Sequence, residues 1–309
     1  MHLISSIKDY KVDEKPTILT IGNFDGVHRG HMAVLQAAKH FAGKEGRIVV
    51  ITFSNHPSEI LRPQEPPVLR LCTQSHKINL LSSFGVHTLI TIPFTKWLAN
   101  HSAASFIEHI RESIPFTHLV LGHDATLGKD RQGRPATMVE LGEQWGFEVH
   151  YLEEFRYEGH PVSSTKIRHL IQHGDLHKVE NFLGRPYSIY SLVTPGEQMG
   201  KAHGLPPTAN IDVTELCLPP LGVYAVQLVK GRQKFRGIAN LGAAPTMHVN
   251  REVQLEVHLF DFNQNLYNEN VEVIFQQFIR PEMIFSSIAA LKDQITLDID
   301  NAKNPLLDV

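Results

Sequence analysis

The chain has 309 residues, 42% of them hydrophobic, so it is long enough for two domains that each bury a core. Its 29 lysines and arginines nearly balance 32 aspartates and glutamates, which argues against a non-specific nucleic-acid binder. The two cysteines, Cys72 and Cys217, form no metal-ligand spacing and suit a reducing compartment.

The N-terminal residues lack a long apolar segment after a positive start, and no run of the chain reaches membrane-spanning length. We therefore expect a soluble cytoplasmic protein with no membrane partner. The balanced charge also predicts no nucleic-acid partner, and the sequence indicates no protein partner.

Apolar segments alternate with helical patterns through the first half of the chain. Strands are expected at 17–23, 48–53, 86–92, 117–122 and 147–152, and helices near 30–42, 73–84, 102–114 and 136–145. This alternation favours a parallel sheet covered by helices. Ligands are then expected at the carboxyl ends of the strands.

The first predicted strand ends in a glycine-rich turn, which leads directly into the first predicted helix. The turn runs Gly22-Asn-Phe-Asp-Gly-Val-His-Arg-Gly-His31. Backbone N–H groups at a helix start lack partners and carry the positive end of the helix dipole, so this arrangement predicts phosphate binding. Gly26 and Gly30 let the backbone approach an anion closely. The imidazoles of His28 and His31 could hold a metal or donate hydrogen bonds to a phosphate.

A second phosphate-binding pattern follows the last predicted strand of this half. It reads Val162-Ser-Ser-Thr-Lys-Ile-Arg168. Ser163 or Ser164 can cap a helix, and two basic residues, Lys166 and Arg168, lie in its first turns. Because basic residues are unfavourable at a helix N terminus, they predict an anionic partner such as a triphosphate.

Period-two patterns replace helical ones after a break that begins at Gly184, so we predict two domains, 1–183 and 184–309. A short helix at 175–183 precedes strands expected at 187–193, 222–229, 234–240, 252–260 and 271–278. Their hairpin spacing indicates a small antiparallel barrel. A closing helix is expected at 287–302, with an apolar stripe of Ile288, Leu291, Ile295 and Ile299.

The ten residues from Gly22 to His31 resemble the nucleotidyltransferase signature of the bacterial bifunctional riboflavin kinase/FAD synthetases. Their last four residues match its HxGH ending, and the segment 162–168 contains the family's SSTxIR motif. The second half resembles the riboflavin kinase domain. Its matching segments are Pro207-Thr-Ala-Asn210, Gly222-Val-Tyr-Ala225, Gly237-Ile-Ala-Asn-Leu-Gly242, Pro245-Thr246, Leu255-Glu-Val-His258 and Ile279-Arg-Pro-Glu282.

The resemblance implies an α/β plus β fold: an N-terminal Rossmann-like nucleotidyltransferase domain, and a C-terminal small antiparallel β-barrel riboflavin kinase domain with a closing helix. It implies an enzyme that phosphorylates riboflavin to FMN with ATP, then adenylylates FMN with ATP to give FAD and pyrophosphate. Riboflavin, FMN and ATP are its expected small-molecule partners, and Mg²⁺ is its expected cofactor.

The resemblance also implies roles for particular residues. Catalytic roles are expected for His28, His31, Arg168 and Glu256, with Glu256 as the base that takes a proton from riboflavin. Nucleotide-binding roles are expected for Gly22, Asn23, Phe24, Asp25, Gly30, Ser164, Thr165, Lys166, Gly200 and Lys201. Flavin-binding roles are expected for His56, Asp124 and Arg280. Metal-binding roles are expected for Thr208 and Asn210, which offer the oxygen ligands that Mg²⁺ prefers.

The chain departs from the family pattern in three places. Asn55 replaces a proline of the usual TFxPHP segment. Ala125 and Leu127 replace both aromatics of the usual GxDFxFG run, which would reduce the aromatic surface offered to a flavin or adenine. One extra residue, assigned to Pro206, precedes the PTAN motif in a loop expected to handle ATP.

These departures leave alternative functions open. The extra Pro206 motivates an FMN adenylyltransferase whose barrel binds flavin but phosphorylates it poorly. The lost aromatics motivate a non-catalytic flavin carrier or regulator, although such a binder would not need the expected catalytic residues. Another HxGH nucleotidyltransferase, such as a cytidylyl or pantetheine-phosphate adenylyl transferase, would not need the barrel.

Overall fold

The computed structural model describes residues 1–195, 205–243 and 253–303. The chain divides into two units, each described by itself: Met1–Leu69 with Lys77–Lys166, and Arg70–His76 with Ile167–Val309. The second unit therefore includes a short segment from the first half of the sequence. The two units divide between Lys166 and Ile167, whereas the sequence predicts a domain boundary between 183 and 184. That boundary stays a prediction.

A parallel sheet of six strands forms the centre of the first unit. The strands are β1 (His2–Ile4), β2 (Thr17–Ile21), β3 (Arg47–Phe53), β4 (Thr88–Ile92), β5 (His118–Leu121) and β6 (Glu148–Tyr151). Their order is β1-β4-β3-β2-β5-β6, and every neighbouring pair is parallel. The predicted parallel sheet is confirmed. β1 was missed because three residues are too few to show a period.

Helices cover both faces of this sheet. They are α1 (Arg29–Ala42), α2 (Pro57–Leu61), α3 (Gln74–Ser83), α4 (Lys96–Asn100), α5 (Ala103–Arg111) and α6 (Pro135–Trp145). Successive strand residues point to opposite faces, so Leu19 packs in a cluster with Phe106 of α5, and Ile18 packs in another with Val34 of α1. All of β2 is buried for this reason.

The chain then forms a small hairpin and two helices. The hairpin pairs β7 (Arg156–Tyr157) with β8 (His160–Pro161), and α7 (Ser164–Gln172) and α8 (Leu176–Leu183) follow. The division between the units falls within α7. Among the described residues, no helix is both long and apolar enough to cross a bilayer.

The second unit contains a closed antiparallel barrel, as predicted. Its strands are β9 (Ser188–Thr194), β10 (Ala209–Ile211), β11 (Gly222–Lys230), β12 (Gln233–Ala243), β13 (Val253–Leu259) and β14 (Asn270–Pro281). Their order around the barrel is β10-β13-β12-β11-β14-β9. β10 was not predicted, because it has only three residues and begins inside the PTAN motif.

Burial alternates along β13 of the barrel. On β13, Leu255, Val257 and Leu259 are buried, whereas Glu256 and His258 between them are half-buried. Glu256 therefore points away from the barrel interior. The pleat turns the two sequence neighbours of this carboxylate, Leu255 and Val257, to the opposite face of the strand.

The predicted closing helix is α9 (Ile288–Lys303). Its C-terminal half packs on the outside of the barrel, where Ile299 and Ala302 contact a cluster that includes Val223. The expected apolar stripe is only partly confirmed, because Ile288 is 47% exposed. The most buried side chain of the helix is Asp298, at 2% exposure.

Candidate active sites

The turn after β2 has a strained backbone. Phe24, Gly26 and Val27 have positive φ angles of 49°, 76° and 40°. This region is unfavourable for residues with a side chain, and most of all for a β-branched residue such as Val27. Both Phe24 and Val27 are buried, so their packing offsets the strain. Strain held in this way is typical of functional loops.

The two histidines of this turn lie against each other. His28 is the N-cap of α1, and its Nδ1 accepts a hydrogen bond from the backbone N–H of His31 at 3.4 Å. Because Nδ1 is an acceptor, the neutral ring carries its proton on Nε2, which can donate to an anion. The two rings stack with centroids 3.6 Å apart and planes 17° apart. The structure thus brings together the two imidazoles that the HxGH motif indicated.

Gly30 has a steric role in this arrangement. A Cβ atom at this position would lie 3.1 Å from Cε1 of His28 and 3.6 Å from the carbonyl oxygen of Val162. A side chain there would therefore push the His28 ring aside. Gly22 is similar, because a Cβ atom would lie 3.2 Å from the ring of Phe24.

The second phosphate-binding motif is tied to this turn. The hydroxyl of Ser164 donates to the backbone carbonyl of Asp25 at 3.1 Å. Ser163 accepts from the backbone N–H of Lys166 at 3.3 Å, so Ser163 caps α7. Thr165 and Lys166 are exposed beside it.

The arginine expected to act with this motif lies two residues further along α7. Arg168 belongs to the part of the helix in the second unit. There its backbone carbonyl accepts a hydrogen bond from the Cys217 thiol at 3.6 Å. Its expected catalytic role stays a prediction.

A buried lysine that the sequence analysis missed holds the turn in place. Lys77 of α3 is 6% exposed, and its Nζ donates to the carbonyls of Asn23 and Phe53, each at 3.1 Å. It also donates to the hydroxyl of Thr52 at 3.3 Å, and this hydroxyl donates to the Asn23 carbonyl at 3.0 Å. One cation thereby joins the carboxyl ends of β2 and β3. The available signal was a lysine inside an otherwise uncharged helix.

His56, an expected flavin-binding residue, caps α2. Nδ1 of His56 accepts a hydrogen bond from the backbone N–H of Ser58 at 3.2 Å, and the backbone N–H of His56 donates to the carboxylate of Glu59 at 2.8 Å. This capping box accounts for the histidine by structure alone, so its flavin contact stays a prediction. Asn55 exchanges two hydrogen bonds with the backbone of Phe94, at 3.1 and 2.7 Å. Those bonds give a structural reason for an asparagine where the family has proline.

Asp124, the second expected flavin-binding residue, lies in the turn after β5. Its side chain is 80% exposed and lies 3.9 Å from Nδ1 of His123. Ala125 and Leu127, which replace the family aromatics, are half-buried and pack against the core that contains Phe106. These two replacements are therefore accommodated by the core of the first unit.

In the barrel, Glu256 lies between two asparagines. The strand register pairs it with Asn210 on β10 and with Asn240 on β12. Directly opposite residues of antiparallel strands share a face, with Cβ atoms about 4.5–5.5 Å apart. The structure thus brings together the expected base and an expected metal ligand. Asn240 is a further candidate that was not singled out, although it lies in a family-like segment.

His258 holds the PTAN segment on the same face of β13. Its Nδ1 donates to the carbonyl of Pro207 at 2.9 Å. Thr208 is exposed and Asn210 is half-buried. Their neutral oxygens, beside the Glu256 carboxylate, fit the ligand preference of Mg²⁺. Pro206 is half-buried next to them. The expected nucleotide-binding residues Gly200 and Lys201, and the family-like pair Pro245 and Thr246, lie outside the described residues.

Arg280, the third expected flavin-binding residue, forms an ion pair with the closing helix. Its Nε lies 3.0 Å from both carboxylate oxygens of Asp298, and its Nη2 lies 2.7 Å from one of them. Gln294 donates to the same carboxylate at 2.9 Å. The pairing joins β14 to α9, so Arg280 has a structural role whatever its contact with flavin, which stays a prediction.

Comparison with known proteins identifies both halves. The FAD synthetase family model matches residues 10–166, and the riboflavin kinase family model matches residues 183–306. A bifunctional riboflavin kinase/FMN adenylyltransferase from Haemophilus influenzae is 38% identical over 288 residues, which cover 92% of each chain. One from Pseudomonas fluorescens is 33% identical and covers 98% of this chain and 97% of its own. A solved structure described as a macrolide-efflux protein from Streptococcus pneumoniae has a TM-score of 0.83 and 30% identity, covering 98% of both chains. The chain therefore belongs to the family of bifunctional riboflavin kinase/FMN adenylyltransferases.

Proposed function

We propose that this enzyme makes FMN from riboflavin in the barrel and FAD from FMN on the parallel sheet, with one ATP consumed in each step. The observation that carries the assignment is the bond from Ser164 to Asp25, which joins the two nucleotide-binding motifs at one end of the sheet. The row of Asn210, Glu256 and Asn240 supports the kinase step in the same way.

In the adenylyl transfer, the phosphate of FMN attacks the α-phosphate of ATP and pyrophosphate leaves. A phosphate oxygen is already a nucleophile, so the protein has to align it and stabilise the charge that develops. His28 donates from Nε2, and His31 and the N–H groups at the start of α1 complete the anion site. Gly22, Asn23 and Thr165 border the nucleotide, and Lys166 and Arg168 neutralise the triphosphate.

In the kinase step, the 5′-hydroxyl of riboflavin attacks the γ-phosphate of ATP and ADP leaves. Glu256 accepts the hydroxyl proton as the new P–O bond forms. Thr208 and Asn210 would hold Mg²⁺, which neutralises charge on the phosphates when it is bound. Asn240, on the other side of Glu256, orients the carboxylate or the ribityl chain.

We also propose a cytoplasmic location, with small molecules as the enzyme's partners. Two observations support this. Cys72 and Cys217 are both buried thiols, as expected in a reducing compartment. The balanced charge provides no field that would attract nucleic acid or an anionic membrane surface.

One experiment tests the two-step assignment. The purified full chain is incubated with ATP and Mg²⁺, once with riboflavin and once with FMN, and the flavins are separated by chromatography over time. We expect FAD in both reactions, with FMN appearing first in the riboflavin reaction. FAD from FMN alone would reduce the function to adenylyl transfer, with a barrel impaired near Pro206. A protein that binds flavin and forms no FAD in either reaction would be a carrier, and the proposal would be wrong.

A further inference from the structure

Two histidines and a glutamate meet at the end of the parallel sheet that faces away from the glycine turn. His118 is the first residue of β5 and Glu148 is the first of β6, and the register pairs them directly. His150, two residues along β6, shares a face with Glu148. Because all strands are parallel and the glycine turn follows the carboxyl end of β2, this cluster lies at the opposite edge. None of the three residues has a part in either proposed reaction.

The potential ligand atoms of the three side chains converge. Taking one imidazole nitrogen from each histidine and one oxygen from Glu148, all lie within 4.8 Å of one another. Nε2 of His150 is buried and makes no hydrogen bond with the described residues, and an oxygen of Glu148 lies 3.5 Å from it. A buried nitrogen without a hydrogen bond is energetically unfavourable, so a hydrogen-bonding group or a metal ion is expected beside it.

Packing fixes the two imidazole rings. Phe41 of α1 stacks on His150 with ring centroids 3.9 Å apart and planes 19° apart. His118 lies beside them, with its centroid 5.4 Å from that of His150. Nδ1 of His118 lies 3.1 Å from the hydroxyl of Thr117. Metal-binding histidines commonly use their second nitrogen in such a hydrogen bond, which orients the first toward the ion.

We propose that His118, Glu148 and His150 form a binding site for a transition-metal cation of the zinc class. Two imidazole nitrogens and one carboxylate oxygen are an established donor set for four-coordinate zinc, with water in the fourth position. Mg²⁺ prefers oxygen ligands, so the nitrogen-rich set selects against the cation that accompanies ATP.

The geometry requires a small closure. Zinc–ligand bonds of about 2.0–2.2 Å place neighbouring ligand atoms roughly 3–3.5 Å apart, so a pair of ligand atoms at the upper separation of 4.8 Å must approach by about 1 Å. An oxygen of Glu148 already lies 3.5 Å from Nε2 of His150, and this side chain, which is 68% exposed, can rotate to bring its oxygen closer to the ion.

The site would strengthen the edge of the sheet. β6 lies at the edge of this sheet, and within the described part of the chain it pairs with β5 alone. A metal that bridges the amino ends of the two strands would stabilise the folded state by binding it in preference to the unfolded chain.

The test uses tag-free full-length protein, freed of metal and titrated with Co²⁺ as a spectroscopic probe, followed by competition with Zn²⁺. We expect one equivalent of Co²⁺ to bind with the visible absorption of a four-coordinate ion and to be displaced by Zn²⁺. The double variant His118→Gln/His150→Gln should weaken binding by about a hundredfold or more, since both nitrogen ligands are lost. Zn²⁺ should raise the unfolding temperature of the wild type and leave that of the double variant unchanged.

His109→Gln is the matched control. Nδ1 of His109 lies 3.6 Å from Glu112, so this variant removes another histidine–carboxylate pair from the same unit. It should bind Co²⁺ as the wild type does. Unchanged binding in the double variant, or an equal loss in the control, would overturn the proposal.

Adenylyl transfer from FMN with saturating Mg-ATP shows whether the double variant is folded, because the cluster lies away from that site. If the double variant does not fold, Glu148→Gln replaces it. This exposed, nearly isosteric change should weaken Co²⁺ binding by at least about tenfold, and unchanged affinity would again overturn the site.

Discussion

His28 shows how one side chain can combine a structural and a chemical role. Its Nδ1 caps α1, so its chemistry is assigned to Nε2. An alanine would remove both roles, whereas an asparagine at the N-cap can still accept the capping hydrogen bond. A comparison of the two variants therefore separates catalysis from helix stability.

We expect His28→Asn to lower the rate of FAD synthesis from FMN by about a hundredfold or more, because a donor to the developing charge is lost. FMN formation from riboflavin should be unchanged. The measurement is the initial rate of each step by flavin chromatography, with His40→Asn, an exposed histidine of the same helix, as the control. An equal loss of both activities would contradict the assignment of His28 to the sheet site.

Glu256 is the corresponding residue of the barrel. Glu256→Gln keeps the shape and the hydrogen-bonding capacity but cannot accept the proton, so FMN formation should fall by about 10²–10⁴-fold. FAD synthesis from FMN should continue at the wild-type rate. Glu269→Gln, which removes an exposed partner of Lys230 on the barrel, is the control. A Glu256→Gln enzyme with normal kinase activity would exclude this residue as the base.

At the scale of elements, Lys77 links two strand ends through backbone oxygens. Lys77→Met retains much of the apolar length but leaves the carbonyls of Asn23 and Phe53 without this donor. We expect the free energy of unfolding to fall by about 1–3 kcal/mol. FAD synthesis should decrease while riboflavin phosphorylation does not. Lys39→Met, on the exposed face of α1, is the control. A Lys77→Met enzyme with normal stability would show that the turn after β2 does not depend on Lys77.

The segment Arg70–His76 is part of the second unit although it comes from the first half of the chain. The hydroxyl of Thr73 donates to the carbonyl of Tyr190 at 2.7 Å, and Arg70 exchanges backbone hydrogen bonds with Glu215 and Cys217. Burial, together with the nearby Arg185, lowers the pKa of His76 from 6.5 to about 3. The folded state therefore keeps His76 neutral where the unfolded chain protonates it.

This difference makes stability depend on pH. Between pH 6.5 and about pH 3 the unfolded state binds one more proton at His76 than the folded state does. Proton binding at His76 therefore lowers the free energy of unfolding as the pH falls through this range, and it does not lower it at neutral pH. The expected slope from this group is about 1.4 kcal/mol per pH unit. His76→Gln should remove that part of the slope in urea unfolding. An unchanged slope in the variant would show that other groups control the acid response.

At the scale of the whole molecule, each step has its own set of residues, in different parts of the chain. FMN released from a barrel can therefore react on another copy of the protein. We expect a mixture of His28→Asn and Glu256→Gln enzymes to make FAD from riboflavin, although neither variant does so efficiently alone. Chromatography of the mixture and of each variant provides the measurement. A mixture that accumulates FMN without FAD would mean that FMN must pass within one chain.

Local patterns in the sequence were enough to predict the parallel sheet, the barrel, the closing helix and the two phosphate-binding motifs. Periodicity reveals which faces are buried, and a glycine turn before a helix has the same geometry wherever it occurs. His28 and His31 were predicted to act together because they are three residues apart on one turn.

The partners of side chains that join distant segments had no such local signal. Lys77 lies 54 residues from Asn23, Arg280 lies 18 residues from Asp298, and Asn240 meets Glu256 through strand register. The cluster of His118, Glu148 and His150 likewise exists because two parallel strands begin side by side. The partners of such polar groups depend on which segments the fold brings together. These contacts are therefore determined by the tertiary structure and not by any local pattern in the sequence.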